Sequence, residues 1–448
     1  MSTFTSELAA AGLAGTALEP GQTGYEDEVA GFNAAVVHRP EVVVGARSAD
    51  DVVRAVRFAR ARGLRVAVHS TGHGAHTAVT GGMLVATRRL DRMQIDPGAR
   101  QTIAGAGVRW GAVIAGAAPH GLAPIAGSSP NVGVVGFLSG GGIGPLVRSH
   151  GFGSDHLVGA TLVTGAGDVV TTSAEENPEI LWALRGGTPR FGVVTEVKVS
   201  LAHVPALYAG SLFFDEPHIE AALRGWISWT ERADPRVSTS MAIVRMPPIE
   251  AVPAPLRGRR VLTLRFAFPG DAEEGVRLAA PLRAVAPVLL DGLDALPLAE
   301  VPRIYNDPAG PVPAWVSGGL LATVDQDLAT VLLRHVGAGT DSPFLAAEVR
   351  HLGEATERDV PGGSAVGGRA ARFTFGLIGT NPAHFAAVLP EVEAVLVGDL
   401  ARWLSPEANG NFAPHPHVRG PARPDQMPAT RARLSELARR YDPDSLFR

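Results

Sequence analysis

The spacing of apolar positions over the first 200 residues predicts alternating strands and helices. The run Val42–Gly45 predicts a short buried strand, and apolar positions at helical spacing predict a helix over Ala49–Arg62. Ser48 is the expected N-cap of this helix, and Gly63 is its expected end. The chain then returns as a second strand over Arg65–His69.

The same patterns continue to residue 200. The further predicted strands are Met83–Thr87, Met93–Ile95, Gln101–Gly105, Asp155–Val163, Asp168–Thr171 and Phe191–Val199, and the predicted helices are Trp110–Ala118 and Pro178–Leu184.

Beyond residue 200, strands and helices no longer alternate strictly, which is typical of an α+β lobe with an antiparallel sheet. Helices are predicted near Ile219–Arg232, Ala272–Val288, Asp327–Val336, Ala383–Trp403 and Thr430–Arg440, and strands at Val261–Phe268, Gly318–Val324, Ala346–His351 and Ala371–Ile378.

Composition restricts the class of protein. The chain is 46% hydrophobic and 19% charged with a net charge of -4, which fits a globular protein and argues against nucleic-acid binding. No long apolar run predicts a membrane span, and the N-terminal stretch lacks the basic start of a signal peptide, so we expect a cytoplasmic protein. The absence of cysteine excludes disulfides, thiolate metal sites and cysteine nucleophiles.

Two glycine-rich loops carry the strongest chemical signal. They are Ser70–Gly74 and Gly127–Gly144. Glycine permits close approach of a ligand and lets backbone N–H groups converge on an anion. A P-loop is excluded because Pro145 follows Gly144, and neither loop fits the dinucleotide pattern GxGxxG. The remaining interpretations are a phosphate-bearing ligand and a purely structural turn.

Histidines beside the first loop raise the alternative of a metal site. His69, His73 and His76 span a strand-to-turn junction without an accompanying carboxylate, so we expect no metal there. His415 and His417 alternate with prolines and are expected in a surface loop.

Four motifs in order resemble a known family. They are VHSTGHG (68–74), SSPNVGVVGFLSGGGIG (128–144), ILWALRGGTPRFGVVTEV (180–197) and YDPDSLFR (441–448). The chain resembles FAD-linked oxidases of the vanillyl-alcohol oxidase superfamily, in the berberine bridge enzyme-like branch. The resemblance implies a PCMH-type two-subdomain FAD-binding fold plus a substrate lobe whose antiparallel sheet is covered by helices. The implied divisions are 1–203 for the FAD domain, 204–407 for the substrate domain and 408–448 for a segment returning to the FAD domain.

The resemblance also implies a role for each motif. His73 would bond covalently to the 8α carbon of the flavin, the first two loops would bind the pyrophosphate and isoalloxazine, and the third motif would contact the adenosine side. The implied FAD-binding residues are His73, Ser70, Thr71, Gly72, Gly74, Ser129, Val132, Gly133, Gly136, Ser139, Gly140, Gly141, Gly142, Gly144, Gly192, Val193, Val194 and Asn411.

This chain departs from the family at two cofactor positions and one catalytic position. Ser129 occupies the place of a cysteine that forms a second flavin bond in many relatives, so single attachment through His73 is expected. Val132 occupies the position that controls oxygen access, and a small residue there is associated with oxidases. Asn409 stands where a catalytic tyrosine is usual.

The position of another common base falls near Phe375 or Leu377, neither of which can accept a proton. The candidate catalytic residues are therefore Glu348, Tyr305 and Asn409. A structural interpretation remains open for Glu348 as an exposed strand residue, and for Tyr305 as a packed or solvent-facing loop residue.

The expected activity is transfer of hydride from a small apolar or polycyclic, natural-product-like substrate to the flavin, with O2 as electron acceptor. Its pocket is expected to contain Trp315, Arg350, Phe373 and Phe375. The alternatives are a dehydrogenase with another acceptor and a flavin-fold cyclase or binding protein without redox turnover.

Overall fold

The computed structural model describes residues 3–413 and 427–447. The predicted surface loop with His415 and His417 lies outside the described residues.

A small sheet and its helices begin the first lobe. These elements are α1 (Phe4–Ala10), β1 (Thr16–Leu18), α2 (Tyr25–Val29), β2 (Val42–Gly45), α3 (Ala49–Arg62), β3 (Val66–His69) and β4 (Met83–Ala86). The strand order is β1-β2-β4-β3, and β4 pairs in parallel with both neighbours. Helix α3 has the predicted bounds, because the Ser48 hydroxyl accepts a hydrogen bond from the Asp51 amide and Gly63 adopts a φ of 64°.

A second sheet completes the first lobe. Its elements and their neighbours are β5 (Met93–Asp96), β6 (Gln101–Gly105), α4 (Trp110–Ala117), β7 (Leu122–Ala123), α5 (Val134–Ser139), α6 (Val147–His150), β8 (Leu157–Thr164), β9 (Val169–Thr172), α7 (Pro178–Leu184), β10 (Gly192–Ser200) and β11 (Ala202–His203). The order is β5-β6-β10-β8-β9, with antiparallel pairing throughout.

The second lobe is a broad antiparallel sheet with helices against one face. Its elements are β12 (Tyr208–Asp215), α8 (Ile219–Thr230), β13 (Ser238–Arg245), β14 (Arg260–Phe268), α9 (Ala272–Arg283), β15 (Leu290–Asp291), β16 (Asp294–Ala295), β17 (Trp315–Leu321), α10 (Gln326–Val336), β18 (Ala346–His351), β19 (Phe373–Gly379) and α11 (Val388–Asp399); the chain's last described helix is α12 (Pro428–Tyr441). The strand order is β15-β12-β14-β13-β18-β19-β17, with β16 also paired to β12.

The C-terminal segment contacts the first lobe. The Val66 amide donates to the Leu446 carbonyl at 2.7 Å, and the Gly165 amide donates to the Tyr441 carbonyl at 2.8 Å. Phe447 is buried in the core that contains α3. The division of the chain at residues 203 and 407 stays a prediction.

A buried arginine joins the two lobes. Arg148, in α6, is 2% exposed, and its Nε donates to the Val237 carbonyl at 2.8 Å. Its Nη1 lies 2.9 Å from Nε2 of His351, at the end of β18. The segment that follows the second glycine loop is therefore fixed against the sheet of the second lobe.

Several predicted elements of the second lobe were placed imprecisely. The helix predicted over Ala383–Trp403 is confined to α11, with separate single turns of 3-10 helix on either side, and β17 begins at Trp315 rather than Gly318. Among the described residues, no helix is long and apolar enough to cross a membrane.

Candidate active site

The first glycine loop follows β3 and passes close to a neighbouring backbone. Gly72 has a φ of 69°, and a Cβ added there would lie 2.6 Å from Cα of Gly31. A side chain at Gly72 would therefore be strained both by the left-handed backbone and by the contact. The Phe32 amide donates to the Thr71 carbonyl at 2.8 Å, which holds the two segments together.

His73 lies at the end of this loop with its ring stacked on Phe32. The ring centroids are 3.7 Å apart and the planes differ by 12°. Nδ1 lies 3.0 Å from the Thr71 hydroxyl, while Nε2 is buried and has no hydrogen-bond partner among the described residues. Burial, and secondarily the charge of Arg109, lowers the pKa of His73 to about 4. The imidazole is therefore neutral at neutral pH, which is the form that acts as a nucleophile.

The two glycine-rich loops face each other. A Cβ placed on Gly133 would be 3.5 Å from the Ser70 hydroxyl and 3.5 Å from the Thr71 methyl group. A Cβ on Gly74 or Gly136 would meet no atom of the described chain within 4 Å. Open space thus adjoins both loops.

The end of the second loop is held by two asparagines of the segment that follows the second lobe. Asn411 Oδ1 accepts a hydrogen bond from the Gly142 amide at 2.6 Å, and Asn409 Nδ2 lies 2.6 Å from the position of a Cβ on Gly141. Gly141 and Gly142 have φ values of 113° and 78°, which favour glycine.

The predicted role of Ser139 is open to a structural interpretation. Its hydroxyl donates to the Val135 carbonyl at 2.6 Å within α5. A Cβ added to Gly140 would lie 2.2 Å from Nδ2 of Asn411. A Cβ added to Gly144 would lie 1.8 Å from the Ala126 carbonyl oxygen. Close packing of backbone therefore explains part of the glycine content.

Ser129 and Val132 begin the second loop. Ser129 is buried, and its hydroxyl accepts from the Asn131 amide at 3.3 Å. Val132 is half-buried against the core that contains α4 and α5, and its carbonyl accepts from the Trp110 amide. Both remain proposed flavin neighbours.

The third motif enters the sheet of the first lobe. Gly192, Val193 and Val194 pair with β8, and Val193 is buried. A Cβ on Gly192 would lie 2.5 Å from the Val163 carbonyl, so close strand packing accounts for that glycine. Contact of these residues with the adenosine side stays a prediction.

These features fit FAD. Ser70 Oγ and His73 Nε2 are both buried and lack a hydrogen-bond partner among residues 3–413 and 427–447, and they lie on the loop that faces the second glycine loop. A buried polar atom without a partner costs about 1–3 kcal/mol, so a ligand with acceptor atoms and a reactive carbon would satisfy this site. No group of metal-ligating side chains occurs in the described part of the chain, including around His69 and His76.

The strands of the second lobe present a polar row toward the second glycine loop. Arg265, Ser240, Arg350 and Thr374 are paired side by side across β14, β13, β18 and β19. Nη1 of Arg350 lies 3.5 Å from the Ile143 carbonyl in the glycine loop. This row therefore adjoins the proposed flavin site.

Glu348 lies two residues before Arg350 and pairs with two arginines. Its Oε1 accepts from Nη1 of Arg265 at 2.7 Å, and its Oε2 accepts from Nε of Arg350 at 2.8 Å. Burial tends to raise the pKa of Glu348, but the charges of Arg350 and Arg265 outweigh it and hold the pKa below its usual value. Only 11% of the Glu348 side chain is exposed, so Glu348 is not the exposed strand residue of the structural interpretation. Its lowered pKa makes the carboxylate a weak proton acceptor.

Tyr305 lies over the polar cluster formed by Glu348, Arg265 and Arg350. The guanidinium carbons of Arg265 and Arg350 are 4.5 Å and 4.7 Å from its ring centroid. Its hydroxyl is 3.4 Å from the Ser240 hydroxyl, which in turn donates to Glu348 Oε1 at 3.4 Å. Tyr305 is thus placed within the polar cluster rather than in an isolated loop.

Asn409 has a structural environment. It is fully buried, its Nδ2 donates to the Gly367 carbonyl at 3.1 Å, and its Oδ1 accepts from the Asn411 amide at 3.1 Å. Both ends of the amide are therefore engaged, and the arrangement favours support of the glycine loop over catalysis.

Three predicted pocket residues lie on the wrong face of the sheet. Trp315, Phe373 and Phe375 are buried in the core between the sheet and its helices. Side chains along a strand alternate between faces, so Phe373 and Phe375 point away from the face that carries Thr374 and Gly376. The expectation that these rings line the substrate pocket is corrected, whereas Arg350 lines a cavity with Tyr305, Ser240 and Arg265.

Sequence reasoning missed the loop that crosses between the lobes. Asp307 Oδ2 accepts from the Ser128 hydroxyl at 2.6 Å, and the Ala309 carbonyl accepts from Asn131 Nδ2 at 3.0 Å. Asn33 bonds both the amide and the carbonyl of Ala314. The proline-rich sequence of this loop does not predict these contacts.

Arg265 and Ser240 were also missed. Arg265 is the one charged residue inside the apolar strand predicted at Val261–Phe268, and that exception to the pattern is a usable signal.

Comparison with known proteins agrees with this geometry. Residues 40–173 match the family described as FAD binding domain. This part of the chain is similar to FAD-binding domains. The match includes both glycine-rich loops and His73 and supports FAD as the cofactor, while covalent attachment through His73 stays a prediction.

A curated relative and two solved structures illustrate the similarity. The chain is 37% identical over 195 residues to (R)-6-hydroxynicotine oxidase of Paenarthrobacter nicotinovorans, covering 43% of each chain. Physcomitrella patens BBE-like 1 has a TM-score of 0.83 at 18% identity, over 100% of this chain and 98% of that one. Glucooligosaccharide oxidase from Acremonium strictum, whose description specifies a 6-S-cysteinyl, 8α-N1-histidyl FAD, has a TM-score of 0.81 at 19% identity, over 98% and 96%.

These likenesses confirm the predicted fold, which this chain shares with Physcomitrella patens BBE-like 1. The sequence matches cover between 43% and 55% of the first curated relatives, about half their length.

Proposed function

We propose that this protein is an FAD-dependent oxidase that oxidises a small molecule and holds its flavin through His73 alone. The observation that carries the proposal is the pair of facing glycine-rich loops with a buried, neutral His73 between them. The chemistry that FAD supplies when bound is to accept a hydride from the substrate and to pass the electrons to O2.

The residues of the first lobe would bind and orient this group. Backbone amides of 70–74 would bind the pyrophosphate, and the His73 imidazole, stacked on Phe32, would attach the flavin. Ser129 carries a hydroxyl instead of a thiol, so we propose single attachment. The small Val132 would leave a path for O2.

Residues of the second lobe would bind the substrate. Ser240, Arg265, Tyr305 and Arg350 line a cavity with Gly144 and Pro145, which lie at the end of the second glycine loop. The two guanidinium groups and two hydroxyl groups of these residues line this cavity, so the proposed substrate is a small molecule that carries polar groups.

The cluster also bears on proton transfer. Glu348 is held ionised by two arginines and would serve as their counter-ion, so the proposed base is not Glu348. The Tyr305 hydroxyl, hydrogen-bonded to Ser240, is the group placed to exchange a proton with a substrate.

The test is rapid mixing of the FAD-loaded protein with a panel of alcohols, amines and hydroxy acids under anaerobic conditions, followed by admission of air. The proposal predicts that a substrate bleaches the flavin absorbance and that air restores it quickly with release of peroxide. A matched Val132→Leu variant should be reduced normally and reoxidised more slowly.

Flavin that stays oxidised with every compound would contradict a redox function. Flavin that is reduced but reoxidised slowly in the wild type would indicate a dehydrogenase.

A further inference from the structure

In the described part of the chain, the two arginines of the polar cluster, Arg265 and Arg350, have N–H donors without an acceptor. Within residues 3–413 and 427–447, the Arg265 guanidinium makes a single hydrogen bond, to Glu348 Oε1. Arg350 donates from Nε to Glu348 Oε2 at 2.8 Å and from Nη1 to the Ile143 carbonyl at the long distance of 3.5 Å. Their side chains are only 14% and 13% exposed, so water from bulk solvent reaches them poorly. A guanidinium carries several N–H donors, and most of these remain without an acceptor.

Within contact distance, the cluster holds more positive charge than negative charge. Two guanidinium groups are paired with one carboxylate, that of Glu348. The other carboxylate that faces the cluster is Asp307, which is hydrogen-bonded to Ser128 and lies beyond ion-pair distance of the arginines. The cavity wall therefore presents an excess of positive charge with unused donors.

Open space lies beside Glu348, the counter-ion of these donors. Gly376 pairs directly with Glu348 across β18 and β19, and a Cβ on Gly376 would meet no atom of the described chain within 4 Å. Tyr305 forms another wall, with its ring against both arginines. The cavity adjoins Gly144 at the end of the second glycine loop.

We infer that the substrate of this enzyme carries a carboxylate or an equivalent planar oxyanion, which Arg350 and Arg265 bind beside Tyr305. A planar oxyanion matches the fork of a guanidinium and would neutralise the excess charge. Glu348 competes with that anion for the same two side chains, and so it sets the affinity without contacting the reacting atoms. This inference rests on the proposed function, because it places the cavity beside the flavin.

The test compares three probes of nearly the same shape and different charge: benzoate, benzamide and benzamidine. Binding to the FAD-loaded protein is measured by calorimetry and by the change in flavin absorbance, without turnover. Benzoate should bind at least about tenfold more tightly than benzamide, because a charge-assisted hydrogen bond exceeds a neutral one by that order. Benzamidine should not bind.

Substitutions in the cluster should move the affinity in opposite directions. Arg350→Gln and Arg265→Gln should each weaken benzoate binding by about tenfold or more, whereas Glu348→Gln should tighten it by a similar factor. Arg350→Lys keeps the charge and controls for folding. Arg245→Gln, at the far end of β13, is the matched control and should leave binding unchanged.

A preference for benzamidine, or weaker benzoate binding in Glu348→Gln, would show that Glu348 recognises the ligand and would overturn the inference. Absence of benzoate binding even in Glu348→Gln, where both arginines lack their counter-ion, would overturn it too. Failure of the proposed function is distinguishable, since the flavin would then resist reduction by every compound while the preference for benzoate persisted.

Discussion

The close approach of Gly72 to Gly31 gives a prediction with a built-in control. Gly72 and Gly63 have nearly equal φ values, 69° and 64°, but a Cβ on Gly63 would meet nothing within 4 Å whereas one on Gly72 would lie 2.6 Å from Cα of Gly31. The left-handed backbone costs an L-residue roughly 1–2 kcal/mol at either position. The backbone contact at Gly72 adds about 1–3 kcal/mol, the usual cost of overpacking.

We therefore expect Gly63→Ala to lower the free energy of unfolding by about 1 kcal/mol and Gly72→Ala by about 3 kcal/mol. Urea unfolding of the flavin-free proteins measures this difference. Because the displaced segment carries His73, Gly72→Ala should also bind less FAD per chain, while Gly63→Ala should bind the normal amount. Equal destabilisation and equal FAD content in the two variants would refute the argument.

Three further predictions concern the glycine loop, acid stability and flavin attachment. Asn411→Ala removes the acceptor of the Gly142 amide and should cost about 1–2 kcal/mol in urea unfolding, with Asn411→Asp losing less. Burial lowers the pKa of His69 and His150 from 6.5 to about 4. Between pH 6.5 and pH 4, therefore, these two histidines take up a proton only in the unfolded chain. Thermal unfolding should show the stability falling as the pH is lowered from 6.5 to 4, by up to about 1.4 kcal/mol per pH unit for each histidine. Ser129→Cys should permit a second flavin bond, detected as flavin retained by the chain after denaturation even when His73 is removed; complete release from that double variant would contradict the placement of Ser129.

Local signals predicted much of the first lobe. The bounds of α3 follow from Ser48 and Gly63, which end the helical pattern at both sides, and β2 is a short apolar run that follows the charged Glu41. The glycine loops were identified because their composition has few explanations other than close backbone approach.

The candidate site in the second lobe could not be predicted to the same extent. Phe373 and Phe375 belong to the right strand, but which face of a strand meets the cofactor depends on how the whole sheet packs, and residues on both faces here are buried or half-buried. The partnership of Arg265, Tyr305 and Glu348 joins segments that are far apart in sequence, and it is set by strand order rather than by any local pattern.

In the proposed arrangement, FAD lies between the two glycine-rich loops and is attached to His73. The most direct measurement is acid precipitation of the wild type and His73→Ala proteins, followed by mass spectrometry of tryptic peptides. We predict that the wild-type chain retains one flavin on the peptide 66–88, while His73→Ala releases all of its FAD. Complete release of flavin from the wild type, or its recovery on another peptide, would contradict the claim.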